Sequence, residues 1–420
     1  MAEAPAPAKR AHPGTCSMSD NLLVASRPAP RRTRPPLSMR SFWNDVEIRA
    51  WIYQLLVIVT VIGIGAFLIS NAQDALRKQG ISTGFDFLLS TAEFDIGEKS
   101  IPFHTTDTFL RAYGVALINT LKVSAVSIIL ATLIGVLVGV GRLSPHFLVR
   151  RLSSIYVEVF RNTPQLVQLI FWYTVITNLP GPRNAISIVD VAFLSNRGFS
   201  FPWPSDTAAL ACVAGALLAG LGMGLFAARI LEARRRRTGR TQPIWIWSLI
   251  LVLGPPAAVW LSSDSSILLT VPQRRGFNFQ GGLTISPEFL ALLLGLSLYI
   301  GAFIAEIVRS GIQSVGRGQI EAARSIGLGT FDTYRKVIFP QALRVIVPPA
   351  TGQYVSLVKN SSLGVAIGYP EMFSVNNTII TLSGHTVEAI AIMMSIYLAI
   401  SFVIAAMMNV YNRFVQIKER

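Results

Sequence analysis

An all-α integral membrane protein with about eight transmembrane helices is the fold class this sequence predicts. Three observations predict it. Of 420 residues, 51% are hydrophobic and 14% charged, against about 25% charged in an ordinary soluble chain, and the mean hydropathy is +0.50. Apolar segments long enough to cross a bilayer recur along the chain. The lysines and arginines between them sit in short clusters in alternate gaps, the pattern of loops on one face of a membrane.

The segments fall near Trp51–Ser70, Tyr113–Val140, Val157–Leu179, Ala208–Leu231, Pro243–Leu261, Phe289–Val308, Leu343–Ile367 and Val387–Val410. The first follows a long basic tail and has no small-residue cleavage site beyond it, so it reads as a retained anchor rather than a signal peptide. The third is interrupted by Arg161-Asn-Thr-Pro164, and the seventh holds Pro348-Pro349, which predicts a kink. The division that follows is a tail over residues 1–50, an anchor with an outer loop over 51–112, a first core part over 113–179, an inserted hydrophobic pair over 180–285, and a second core part over 286–420 with a polar loop at 318–340. Residues 1–36 are rich in Ala, Pro and Arg and predict disorder. The outer loop from Asn71 to Ala112 is too short to predict a domain of its own.

Charge orients the spans. With eight of them, the tail arginines (Arg27, Arg31, Arg32, Arg34, Arg40), then Arg142, Arg150 and Arg151, then Arg234 to Arg237 with Arg240, then Arg317, Arg324, Arg335 and Lys336, and finally Arg413, Lys418 and Arg420 share one side. The other side holds Asp86, Glu93, Asp95, Glu98, Asp107, Asp190, Asp206, Asp264 and Glu371 among fewer basic residues. The positive-inside rule then puts both termini and the 318–340 loop in the cytoplasm.

Several function classes drop out. A net charge of +15 spread over loop clusters does not indicate nucleic acid. Cys16 and Cys212 lie in a polar tail and an apolar run, which implies no disulfide framework. The four histidines (His12, His104, His146, His385) are scattered, with no His-Glu-x-x-His and no Cys-x-x-Cys. A phosphate-cradling Gly-x-x-x-x-Gly-Lys-Ser/Thr is missing, so any ATP that drives this chain is hydrolysed elsewhere. No filter-like motif points to a channel.

The polar loop from Gln319 to Pro340 carries the most information. Glu321-Ala322-Ala323 favours a helix, Gly327 and Gly329 interrupt it, and Thr330 is placed to cap a second short helix running to Pro340. This Glu-Ala-Ala start, with a glycine six residues after the glutamate and a late proline, resembles the coupling loop of bacterial ABC-importer permeases. Tyr299-Ile-Gly-Ala-Phe-Ile-Ala-Glu306-Ile-Val-Arg309-Ser-Gly311-Ile-Gln313 before the loop extends the resemblance. Pro340-Gln-Ala-Leu-Arg344, Pro348-Pro349 and Leu357-Val-Lys359-Asn-Ser-Ser-Leu363 extend it after the loop, and Asn119-Thr-Leu-Lys122-Val-Ser124 and Phe160-Arg161-Asn-Thr-Pro164-Gln-Leu-Val-Gln168 in the first half. The chain looks like the polar amino acid branch, which imports histidine, glutamine, glutamate, arginine and opines. Its anchor, long outer loop, insert and Gly84-Phe-Asp-Phe-Leu resemble the larger permease subunit of general L-amino acid importers of Gram-negative bacteria.

The resemblance implies a type I importer permease fold with a cytoplasmic coupling helix, in the inner membrane. It implies a second homologous permease chain, two copies of an ATP-binding subunit and a periplasmic amino acid binding protein as partners, besides membrane lipid. No cofactor is implied in this chain, since ATP and Mg would sit on the ATPase. Glu321, Ala322, Ala323, Arg324 and Gly327 become the ATPase-coupling candidates. Glu321 would offer a polar contact and Gly327 the turn, while Arg324 could instead pair with Glu321 across one turn.

Candidates for the substrate path come from polarity inside a span. Lys359, followed by Asn360, Ser361 and Ser362, would suit the α-carboxylate that all amino acids share; it could equally snorkel to headgroups or pair with an acid on a neighbouring subunit. Glu306 and Arg309 read as an intrahelical pair that positions the loop. Arg161, Pro164 and Pro340 read as structural. The alternatives are a permease for opines or another small polar metabolite, and a secondary carrier, which would call for an inverted repeat and intramembrane acids. A scaffold or sensor would leave the loop chemistry unexplained.

Overall fold

The computed structural model describes residues 46–78, 84–204, 207–238, 244–262, 269–276 and 278–415. The tail predicted to be disordered lies outside the described residues, as do Arg240, Asp206, Asp264, Lys418 and Arg420 of the charge count. The chain divides into two compact units, residues 1–75 and 76–420. The described part of the first lies in helix α1 (Val46–Lys78). Its apolar stretch Ile48–Asn71 is long enough to cross a bilayer.

The second unit is built around two helices. Helix α2 (Phe109–Gly141) starts at Thr108, whose side chain accepts from the Arg111 amide, and α7 (Pro287–Gln313) starts at Ser286, which accepts from the Phe289 amide with Pro287 in the first turn. A hydroxyl cap with proline just inside is a helix start that leaves few orphan donors. The pair meets along Ala131, Gly135 and Gly139, four residues apart on one face of α2. A Cβ at Gly135 would come within 2.5 Å of Ile304, and one at Gly139 within 2.7 Å of the Ala305 carbonyl. Small residues at that spacing let helix backbones approach closely where no hydrophobic effect drives association.

The predicted third span is two helices. Helix α3 (Phe147–Asn162) and α4 (Gln165–Thr177) are separated at Thr163-Pro164, because proline removes a helix hydrogen bond and constrains the residue before it. Gln168, buried, closes the break by donating to the carbonyls of Phe160 and Thr163 at 2.9 and 3.0 Å.

The all-α expectation needs correction at the insert. Helices α5 (Thr207–Thr238) and α6 (Ile244–Ser262) pack on each other, with Gly220 and Gly224 against the Leu251, Val252 and Ser248 backbone. They rise from eight short strands: β1 (Ile186–Ile188), β2 (Ala192–Ser195), β3 (Gly198–Phe201), β4 (Trp203–Pro204), β5 (Leu269–Thr270), β6 (Gln273–Arg275), β7 (Asn278–Gln280) and β8 (Leu283–Ile285). The sheet order is β1-β2-β3-β8, with β4-β5 and β6-β7 as separate ribbons. Antiparallel pairing of Phe199 with Ile285 and Trp203 with Thr270 ties the two sides of the insert into one stem. Segments this short alternate too briefly to register as strands against long apolar runs.

The segment before α2 packs on the core. Phe87, Ala92, Ile96 and Phe103 join Tyr113, Val115 and Ala116 of α2 and Met372, Val375 and Ile379 in one buried cluster. Asn119 is its polar hub. It donates to the carbonyls of Glu98 and Pro370 at 2.9 and 3.0 Å and accepts from the Ser100 hydroxyl at 2.8 Å.

Of the eight predicted spans, four fall on helices long and apolar enough to cross a bilayer among the described residues: Ile48–Asn71, Phe109–Gly141, Pro287–Gln313 and Thr386–Phe414. The others are shorter, or carry more polar residues, than a lone lipid-facing span requires.

Candidate functional site

Helix α8 (Arg317–Ser325) follows α7 directly. It ends as the glycine predicts. Gly327 has φ +82°, its amide donates to the Arg324 carbonyl at 2.9 Å, and the Leu328 amide donates back to Ala323 at 3.1 Å. These two bonds define a Schellman motif, which places a left-handed residue just past the helix end. Ala323 is buried under the turn, whereas Glu321, Ala322 and Arg324 are exposed. The Glu321–Arg324 pair is not formed; both side chains are exposed, and among the described residues neither has an ion-pair partner. Ile326 and Phe331, 77% and 75% exposed, flank the turn. The sequence reading passed over both, since single apolar residues in a polar loop give no periodic signal.

Past the turn, two expectations are corrected. Gly329, not Thr330, is the N-cap of α9 (Thr330–Thr333), and Thr330 is its first helical residue with no side-chain cap. The helix does not stop at Pro340. A π-turn over Tyr334–Ile338 leads straight into α10 (Phe339–Asn360). The wider turn precedes Pro340, which lies in the first turn of α10, where a missing amide costs little. The knob is thus continuous with α10 through helical segments that run unbroken from Thr330 to Asn360.

Glu306 and Arg309 pair as predicted, but the group is larger. Glu306 receives hydrogen bonds from Arg309 and from Arg142 at the end of α2, and Arg161 at the end of α3 lies 3.9 Å away. Arg161 also covers the Phe303 ring at 5.1 Å. One carboxylate therefore gathers the ends of α2, α3 and α7 three helical turns or less before the knob. Pro164 is the N-cap position of α4.

The path candidates separate. Lys359 and Ser362 line an open cavity of about 670 Å³ with Phe373, Met394, Tyr397 and Leu398. Asn360 does not join it; its amide donates to Gln165 at 2.7 Å and so ties α10 to the start of α4. Ser361 is buried and donates to the Val358 carbonyl at 2.7 Å. The chain leaves α10 through a 3₁₀ segment, Ser361–Ile367, that ends at Gly368 with φ +78°. Lys359 is exposed, and among the described residues its ammonium has no ion-pair or hydrogen-bond partner. Behind the cavity, Glu371 caps α11 (Met372–Ser383), accepting from the amides of Phe373 and Ser374 at 2.8 Å each, and from the Tyr397 hydroxyl of α12 (Thr386–Val415) at 2.8 Å. Burial pushes its carboxyl up from the ordinary range, against the pull of those donors. No cluster of three His, Cys, Asp or Glu residues able to hold a metal occurs among the described residues.

The fold is that of a helical membrane protein with an exposed helical knob continuous with α10. The family model described as "Binding-protein-dependent transport system inner membrane component" matches residues 220–417. The putative amino-acid ABC transporter permease protein YhdX of Escherichia coli (strain K12) is 47% identical over 385 residues, 90% of this chain and 97% of that one. The general L-amino acid transport system permease protein AapQ of Rhizobium johnstonii is 40% identical over 386 residues, 91% of this chain and 96% of that one. A crystal structure described as an amino acid ABC transporter with histidines aligns at 20% identity and a TM-score of 0.43, covering 73% of this chain and 94% of that one. The chain belongs to the family of binding-protein-dependent transport system inner membrane components, among its amino-acid ABC transporter permeases.

Proposed function

We propose that this protein is the membrane permease subunit of an ATP-driven importer for amino acids, with ATP hydrolysed on a partner subunit. The family and the close relatives support that class. The finer reading is a broad-specificity L-amino acid importer, with both termini cytoplasmic. It pairs this chain with a second homologous permease, two ATPase subunits and a periplasmic binding protein that makes most of the substrate choice. ATP and Mg stay on the ATPase.

One observation supports the coupling role: the 317–333 knob presents Glu321, Arg324, Ile326 and Phe331 outward while its far end runs unbroken into α10. Closing two ATPase subunits would move such knobs together and rotate the attached helices as rigid bodies, a packed two-state change. Lys359 is assigned the α-carboxylate of the passing amino acid, because its ammonium faces the cavity unpaired. The stem-and-hairpin insert and the docked outer segment offer outer surfaces for the binding protein. The test is purification of the tagged chain in mild detergent, with ATPase activity assayed on the eluate with and without Glu321→Arg. Co-purified ATPase and permease, weakened by the substitution, supports the reading. A chain that elutes alone and transports amino acids in vesicles without ATP overturns it in favour of a secondary carrier.

A further inference from the structure

The ends of α2, α3 and α7 hold more positive charge than their own structure uses. Three guanidiniums, Arg142, Arg161 and Arg309, converge on the single carboxylate of Glu306. Each guanidinium carries five donors, and a carboxylate accepts about four hydrogen bonds. Gln313 takes one more from Arg309, at 2.7 Å. The surplus is visible: the Nε atoms of Arg142 and Arg309 are buried without a partner. Glu158, on the same helix as Arg161, is exposed and forms no ion pair with it among the described residues. Arg161 is the open member, its side chain 40% exposed against 16% for Arg142.

We propose that Arg142, Arg161 and Arg309 form a binding site for a phosphate-bearing anion at the shared end of α2, α3 and α7. Planar guanidiniums suit phosphate oxygens bidentately. The phosphate would share Arg161 and the free donors with Glu306, neutralising a net positive cluster at the head of the coupling loop. The chemistry is that of a phospholipid headgroup or of free phosphate. The site does not depend on the coupling role of the knob.

Native mass spectrometry of the detergent-purified full chain, exchanged against equimolar phosphatidylglycerol and phosphatidylcholine, tests it. Phosphatidylglycerol is retained over phosphatidylcholine by about tenfold, Arg161→Gln removes most of that preference, and Arg161→Lys restores part of it, as loss of one charge-assisted contact requires. Glu306→Gln, which frees donors, raises retention. Thermal denaturation in phosphatidylcholine nanodiscs with inorganic phosphate separates the sources. A raised midpoint that Arg161→Gln abolishes assigns a soluble anion, and lipid retention without that shift assigns the headgroup. Equal retention of both lipids with no effect of inorganic phosphate overturns the site.

Discussion

Arg142 donates a hydrogen bond through Nη1 to Oε2 of Glu306, and that contact joins the C-cap residue of one core helix to another helix 164 positions further along the chain. Arg309 holds the other carboxylate oxygen. Glu306 is thus a clasp that aligns three helix ends with the knob that follows Gln313. Replacing Glu306 with Ala leaves two half-buried guanidiniums facing each other. The expected cost is about 2–3 kcal/mol, read as a lower thermal midpoint in detergent. A double-mutant cycle with Arg142→Met should show strong coupling; additive losses would mean the contact does not hold the helices.

The glycine seam makes a contrast within one helix. Gly139→Val places a branched side chain against the Ala305 carbonyl, where even a Cβ would be 2.7 Å away, so the core pair must separate. The expected result is little protein in the membrane fraction. Gly114→Ala, on the same helix with nothing within 4 Å of its Cβ, should be tolerated and gain up to about 1 kcal/mol of helix propensity. Immunoblots of membrane fractions compare the two.

At Gly327 the strain is in the backbone alone. Its φ is +82° and no neighbour lies within 4 Å of a Cβ. Gly327→Val costs about 1–2 kcal/mol of local strain and unwinds the turn without disturbing the core. Membrane insertion should persist while ATP-driven uptake falls at least roughly tenfold, a change of about 1.4 kcal/mol in coupling. Gly327→Asn should retain part of the uptake, since asparagine tolerates the left-handed region. Normal uptake by the valine variant would remove the turn from the mechanism.

Ile326 and Phe331 separate docking from folding. Both are exposed, so Ile326→Asp with Phe331→Ser should leave the thermal midpoint within about 0.5 kcal/mol of stability. Co-purification of the ATPase should drop sharply, as expected when apolar anchors leave an interface. Undiminished co-purification would place the docking surface elsewhere.

Lys359 and Asn360 are neighbours with opposite expected phenotypes. Asn360→Ala deletes the bond to Gln165 and should cost about 1 kcal/mol of stability. Lys359→Met should leave stability unchanged and reduce uptake of differently sized amino acids by a similar factor, because the shared α-carboxylate loses its partner. Selective loss of one substrate would reassign the lysine to side-chain recognition.

How far the sequence was legible depends on the range of the interaction. The loop turn was legible because glycine at Gly327 answers a local demand for positive φ. The Glu306–Arg309 pair was legible because three residues along a helix fix the side chains on one face. Arg142 and Arg161 were not legible as its partners, since nothing in one chain's pattern says which helix ends meet. The strands of the insert stem escaped for a related reason: β3 and β8 are stabilised by each other across the hairpin, and neither is long enough to declare itself. Asn360 was grouped with Lys359 because adjacency in sequence was all there was to use, and the helix end turned the two side chains apart.

Composition and apolar segments by themselves determined a helical membrane protein, and the Glu-Ala-Ala loop and its flanking motifs carried the resemblance to amino-acid permeases. Those features depend on solvent and local backbone geometry, which each residue carries with it. Only the tertiary structure decided which glycines let α2 and α7 touch, which arginines share one carboxylate, and which polar residue at the end of α10 faces the cavity. Those outcomes follow from close packing, where a few tenths of an ångström between helices select one set of neighbours from many that the sequence permits.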